Sequence, residues 1–279
     1  LVFTITFPWI LGCYLYNSVE LYDLNNKVSI IQPNINLINK RDYTKRFENL
    51  NNLIKTSKES IDNGSSLIIW PESAIPYNNI QDSQTLNFIR DNLLKGGDSY
   101  LLTGNVIYDQ KGHYNSSVLI SNSGIKDIYN KQQLVPVAEY VPLSDWFPIL
   151  KSFNLGQANF SKGKRDVLFE VNNDKFSSLI CFESTFPEIN RRHASKGADF
   201  FTYLVNDGWY TTPPQPQQHM KQSIFRAIEN RKSVLRCANT GISAIINPKG
   251  EVSEYISLNQ RGVITSFIKK TNKSTFYTN

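Results

Sequence analysis

From Lys27 onward, short apolar runs rich in β-branched residues alternate with longer stretches whose apolar residues recur at helical spacing. This alternation limits the fold more than any other feature of the chain. A short run without polar interruption suits a strand buried on both faces, and parallel neighbours of that kind need a helical crossover between them. Strands are predicted at 28–31, ending at Gln32-Pro33, and at 66–70, breaking at Pro71. Between them, 41–61 has helical spacing through Phe47, Leu50, Leu53, Ile54 and Ile61, and Asn63-Gly64 stops it. A second helix at 83–94 closes on Gly96-Gly97. Strands at 100–108 and 114–121 are joined by Gln110-Lys111-Gly112, a hairpin signal. The second half continues with strands at 167–171 and 175–180, a helix at 186–195, a strand at 200–205 and a helix at 217–231. Strands at 233–238, 243–246 and 262–268 close the series. One α/β domain with helices packed outside the strands is expected.

At 279 residues and 40% hydrophobic, the chain can bury one sizeable core without covalent staples. Thirty basic against 24 acidic residues give a net charge of +6, scattered rather than clustered. Nucleic acid is therefore not an expected partner, whereas an anionic membrane surface stays open. The three cysteines, Cys13, Cys181 and Cys237, show no CxxC or Cys/His ligand spacing, so neither a disulfide framework nor a metal site is expected. The first 16 residues carry no charge but fall short of the ~20 that cross a bilayer, and the sequence turns polar at Asn17. They read as the remnant of a transmembrane helix, with a linker to residue 25; the alternative is a buried element of the core. The domain then occupies 26–270, followed by a tail at 271–279.

Three places in the sequence carry the residue types of acyl chemistry. Cys181 ends an apolar strand and precedes Phe182-Glu183-Ser184-Thr185-Phe186-Pro187, where Ser184 or Thr185 can cap the next helix and Pro187 fits its first turn. At such an elbow a sulfur lies near backbone N–H groups, which favour a thiolate and can hold an oxyanion. Cys237 lies inside a strand and reads as structural, and Cys13 belongs to the apolar N-terminal run. In Trp70-Pro71-Glu72-Ser73-Ala74-Ile75-Pro76 a carboxylate follows a buried strand between two prolines, a setting that raises its pKa toward that of a general base. Lys131 leads an apolar, proline-fixed stretch, 131–164, read as a long ordered loop. Glu139 or Glu72 can pair with Lys131, whose ammonium would stabilise a tetrahedral oxyanion. A base, a cation and a thiol are the three roles that attack on an acyl carbon requires.

With these motifs the sequence resembles the carbon–nitrogen hydrolase (nitrilase-like) superfamily and, within it, the apolipoprotein N-acyltransferases. The likeness runs over about 28–263. Its most specific piece is Trp70 to Pro76, followed by Leu134-Val135-Pro136, Glu139-Tyr140-Val141-Pro142 and Ile180-Cys181-Phe182-Glu183. Asn206-Asp207-Gly208-Trp209, Gln218-His219 and Asn239-Thr240-Gly241 complete it. The resemblance implies a four-layer α-β-β-α sandwich with Glu72 as base, Lys131 as oxyanion cation and Cys181 as nucleophile. Glu139 would be an accessory carboxylate, Glu183 a support for the elbow, and the Phe182 N–H a second oxyanion donor. It implies no cofactor. The reaction implied moves an acyl chain from a membrane phospholipid, through a Cys181 thioester, to the α-amino group of the diacylglyceryl-cysteine of a lipoprotein. A soluble amidase using the same residues, with water as acceptor, is the competing reading.

The family's membrane helices would precede the domain and follow the 271–279 tail, placing it at a bacterial inner membrane on the periplasmic face. Val137-Ala138 departs from the Phe-Gly common in the family, Arg41 stands where some members have a lid tryptophan, and Thr211 to Pro216 is unusually proline-rich. His219 and the Arg226–Glu229 pair read as structural helix residues, and Asn206-Asp207 as a turn at the pocket rim.

Overall fold

The computed structural model describes residues 2–75, 79–142, 158–209 and 213–279. Pro76, residues 143–157 of the long loop and Thr211-Thr212 of the proline-rich segment lie outside the described residues. Six strands form the first sheet: β1 (Tyr22–Gln32), β2 (Leu67–Ile69), β3 (Tyr100–Asp109), β4 (Gly112–Ser121), β5 (Gly124–Asn130) and β12 (Gly262–Lys270), in the order β12-β1-β2-β3-β4-β5. The second contains β6 (Phe169–Val171), β7 (Asp174–Ile180), β8 (Phe200–Val205), β9 (Ser233–Ala238), β10 (Ser243–Ile246) and β11 (Val252–Ile256), in the order β11-β10-β9-β8-β7-β6. The parallel pairs β1–β2, β2–β3, β7–β8 and β8–β9 are each joined by a helical crossover. The longest helices of these crossovers are α3 (Arg46–Asp62), α4 (Ser83–Ile89), α5 (Pro187–Ser195) and α6 (Gln215–Asn230).

The two-residue period of the strands sorts the layers. Val28, Ile30, Leu67, Ile69, Leu102 and Leu119 join the core shared with Phe176, Ile180, Leu235 and the α5–α6 residues Ile189 and Ala227. Their neighbours Ile31, Ile68, Leu101, Val118 and Ile120 turn the other way, onto Leu50, Leu53 and Ile54 of α3 and Ile89 of α4. A hydroxyl pair, Ser117 and Ser178 at 2.6 Å, ties the inner faces of the two sheets. The result is the α-β-β-α sandwich that the sequence implied.

Several boundaries differ from the expectation. The edge strands β5 and β11 were not predicted, because Lys126-Asp127 and Ser253-Glu254 interrupt their apolar pattern. β1 starts at Tyr22, inside the stretch assigned to the linker. The predicted 41–61 helix is split into α2 (Leu37–Arg41), a tight turn at Tyr43–Lys45, and α3, whose Phe47 faces solvent. Neither Ser184 nor Thr185 caps α5: both hydroxyls turn back, onto the Cys181 and Phe182 carbonyls, and Phe186 is the cap residue. The N-terminal run forms α1 (Val2–Asn17), 16 residues with no described side chain buried, so it is not a core element. Among the described residues no helix is long and apolar enough to cross a membrane. The Tyr16 hydroxyl bonds Glu251, and the Lys249 ammonium lies 4.8 Å over the Tyr16 ring.

This architecture brings the carboxyl ends of β2, β5, β7 and β8 together, and open α/β sheets present their ligand sites at such ends. One glycine makes the approach possible. A Cβ at Gly104 of β3 would lie 2.7 Å from both Glu72 Cα and Ser73 N, so the 71–73 turn packs directly on the β3 backbone. Gly104→Ala is expected to cost about 1–3 kcal/mol by overpacking and to displace Glu72, measured as a lower urea midpoint with unchanged m value.

Candidate active site

β2 hands over to the site at Trp70, wholly buried, whose indole N–H donates to Ser57 Oγ of α3 at 2.8 Å. The chain then turns through Pro71-Glu72-Ser73, with Ser73 at φ 50° and the Ala74 N–H bonded to the Gly104 carbonyl at 3.2 Å. Glu72 is therefore held by backbone on both sides, and its carboxylate accepts from Asn115 Nδ2 of β4 at 2.7 Å. The same amide reaches Glu139 Oε1 at 3.0 Å, so Asn115 bridges two carboxylates.

Lys131, the first residue after β5, is 1% exposed. Its Nζ lies 2.9 Å from Glu139 Oε1 and 3.8 Å from Glu72 Oε1. Glu139 is fixed through its other oxygen by the Val135 N–H at 2.8 Å. Burial alone would lower the Lys131 pKa, but Glu72, Cys181 and Glu139 together hold it above the ordinary lysine value. Burial raises Glu72, reinforced by the neighbouring Glu139 charge and opposed by Lys131, Asn115 and Lys40. Cys181 follows β7 in a tight turn, Cys181–Thr185, at φ 49°, a left-handed conformation unusual for a side chain of any size. Burial and Glu72 push its thiol well above the ordinary value, while Lys131 and the Asn206 N–H pull it back. Glu72, Lys131 and Glu139 thus form one buried ion-paired group.

Glu183 is fully buried. One of its oxygens accepts from the Tyr129 hydroxyl at 2.7 Å and the N–H groups of Gln132 and Gln133 at 2.7 and 3.0 Å; the other accepts from the Ile180 N–H at 2.8 Å. It ties the end of β7 to the loop that carries Lys131. Phe182 packs edge-on to Phe186, with centroids 5.0 Å apart. Cys237 is buried with its sulfur 3.3 Å from the Ile69 carbonyl and stays a core residue, and Cys13 lies exposed on α1.

Some neighbours were not singled out in the sequence. Asn115 had a signal, a polar amide inside the β4 run, that the hairpin reading passed over. Lys40 had none: it lies in a polar stretch, yet it is buried, with Nζ 3.0 Å from the Glu72 carbonyl. His219, read as structural, lies beside the nucleophile candidate: Nδ1 is 2.8 Å from Asp207 Oδ1 and Nε2 is 3.1 Å from the Cys181 carbonyl. The donor atoms of Cys181, Asp207 and His219 lie within 4.8 Å of one another. Both Asp207 oxygens are already bonded, to His219 and to Arg236 at 2.8 Å, which makes the cluster an internal network rather than an open coordination site. Arg226 pairs with Glu229 at 2.8 Å on α6, the structural role expected of them.

The carbon-nitrogen hydrolase family pattern matches residues 27–273, and the chain belongs to that family. Among curated proteins it is 33% identical over 266 residues to an apolipoprotein N-acyltransferase of Wigglesworthia glossinidia brevipalpis, covering 92% of this chain and 52% of that protein. A protein of the same name from Geobacter metallireducens is 30% identical over 257 residues, covering 90% and 49%. The chain spans about half the length of the curated relatives it matches. The fold is also that of a Nesterenkonia amidase from the nitrilase superfamily, with a TM-score of 0.65 at 16% identity, covering 90% of this chain and 93% of that one.

Burial lowers the Lys40 pKa to about 8 from 10.5, against the opposing pull of Glu72. Between those values the unfolded chain holds a proton that the folded site has released, so this group makes stability rise with pH across that window. The difference in unfolding free energy between wild type and Lys40→Met should accordingly grow by about 3 kcal/mol from pH 7 to 11 in urea titrations. A flat difference would place Lys40 in solvent.

Proposed function

We propose that this domain is an N-acyltransferase that moves an acyl chain from a membrane phospholipid to the α-amino group of a lipoprotein's N-terminal diacylglyceryl-cysteine. The observation that carries the reading is the buried Lys131 ammonium between Glu72 and Glu139, on a loop that Glu183 ties to the Cys181 end of β7. The identity to apolipoprotein N-acyltransferases supports the choice of acyl donor and acceptor.

In the first half-reaction Glu72 takes the Cys181 thiol proton, and the sulfur attacks the ester carbonyl carbon. Negative charge gathers on the carbonyl oxygen, where Lys131 and the Phe182 N–H hold it. The C–O bond breaks, the leaving alkoxide takes the proton back from Glu72, and a lysophospholipid departs. In the second half the lipoprotein amine attacks the thioester and gives its proton through Glu72 to the departing sulfur. The elevated pKa of Glu72 suits it to this two-way transfer. The exposed, uncharged α1 supports attachment to a membrane, and the identity to apolipoprotein N-acyltransferases supports the bacterial inner membrane with the domain on its periplasmic face.

Incubation with phospholipid in detergent should add one acyl mass to the protein, mapped to Cys181 and absent in Cys181→Ala. Glu72→Gln should slow its formation by roughly 10²–10⁴-fold. Because burial raises Glu72, the rate should fall as pH drops through a value above the ordinary ~4.3 of a glutamate. Fast turnover of small amides with no lipid adduct would instead make the domain an amidase.

A further inference from the structure

The turn after β8 reaches the nucleophile candidate through a buried side-chain network. Asp207, two residues past the end of β8, leads through His219 to the Cys181 carbonyl. The network that reaches it is inside the protein: Asp207 is 1% exposed, His219 7% and Arg236 fully buried, while Cys181 itself is half-buried at the core edge. His219 Nδ1 lies 2.8 Å from Asp207 Oδ1, and Arg236 Nη2 donates to Asp207 Oδ2 at 2.8 Å. Arg236 is itself fixed from Nε to the Ile242 carbonyl at 3.1 Å. The second ring nitrogen, Nε2, faces the Cys181 carbonyl at 3.1 Å and Ser184 Oγ at 3.0 Å, while the Ser184 hydroxyl donates to the same carbonyl at 2.8 Å. Gly241 closes the back of the network, since a Cβ there would lie 2.5 Å from Asp207 Oδ2.

Cys181 needs such a grip. At φ 49° it occupies the left-handed region, which is strained for a residue with a Cβ and persists only where the surroundings enforce it. The carbonyl that His219 and Ser184 hold belongs to the strained residue itself. Fixing that peptide fixes the direction of the Cα–Cβ bond, and with it where the sulfur stands relative to Lys131 and Glu72.

From this geometry we infer that His219, anchored by Asp207 and Arg236, is a positioning residue: it clamps the Cys181 peptide and so aims the thiol at the reacting carbonyl carbon. The inference rests on Cys181 being the nucleophile, but not on what it acylates. On this account the network makes no contact with substrate. Its loss lowers the rate of thiol attack on any electrophile and leaves substrate affinity alone.

The test is alkylation of the full chain by iodoacetamide, read at the Cys181 peptide by mass spectrometry so that Cys13 and Cys237 are counted separately. His219→Leu should slow Cys181 alkylation by roughly 10-fold or more, a reach comparable to other small misplacements of reacting groups. His219→Gln, which keeps an N–H able to reach the Cys181 carbonyl, should recover to within about 3-fold of wild type. With acyl donor, kcat should fall in step with alkylation while KM stays constant. A folded His219→Leu protein that alkylates Cys181 at the wild-type rate overturns the inference, as does failure of Gln to outperform Leu. If the Leu variant does not fold, Asp207→Asn serves instead: it keeps the volume and removes the charge, and a wild-type alkylation rate in it overturns the inference equally. Alkylation needs no lipid, so absence of a phospholipid thioester would sink the acyltransferase reading without touching this one.

Discussion

An ammonium with 1% of its side chain exposed is unfavourable unless anions meet it, and Lys131 is met by two. The converse is equally binding. Glu72 and Glu139 accept from the same Asn115 amide, and two carboxylates so placed repel one another unless a cation stands between them. The three groups come from three parts of the chain: the turn after β2, the residue after β5, and the loop beyond it. Their mutual dependence therefore also fixes how those segments close over the gap between the sheets. Glu183 extends the constraint to the nucleophile, since its carboxylate joins the Ile180 N–H to the N–H groups of Gln132 and Gln133.

Backbone strain is stored at the same corners. Ser73 beside Glu72, Val137 ahead of Glu139, and Cys181 all have positive φ. Such conformations persist where surrounding contacts over-determine them, and here the contacts are identifiable. The Ala74 N–H holds the Glu72 turn to Gly104, the Glu139 N–H and the Val137 N–H close the lysine loop on the Val135 and Tyr140 carbonyls, and Ser184 and His219 hold Cys181. The rigidity of the site comes from the two sheets beneath it, whose carboxyl ends converge.

Much of this was legible from residue order. Strand–helix alternation gave the layered α/β class, because buried parallel strands leave unbroken apolar runs such as Leu67-Ile68-Ile69. Glu72 and Cys181 stood out because each follows a predicted strand beside proline or a helix start, and Lys131 because it leads a proline-fixed apolar loop. The structure places Lys131 between Glu72 and Glu139, with Cys181 at the end of the adjoining β7. What stayed hidden has physical reasons. Edge strands β5 and β11 keep charged residues on exposed positions, so their period is weak. Lys40 lies among Asn36, Asn39 and Asp42 and is buried only by the tertiary approach of α2 to the Glu72 turn. His219 sits on the buried stripe of an amphipathic helix, where a histidine serving the core and one serving a site look alike in sequence.

A double-mutant cycle on stability tests the shared ammonium most directly. Lys131→Met alone leaves buried carboxylates unpaired and should cost about 3–5 kcal/mol in urea unfolding. Lys131→Met combined with Glu139→Gln should cost less than the sum of the two single changes, with an interaction energy of about 1–3 kcal/mol. Single effects that add within about 0.5 kcal/mol would contradict the account, because the lysine and the carboxylate would then be held independently of each other.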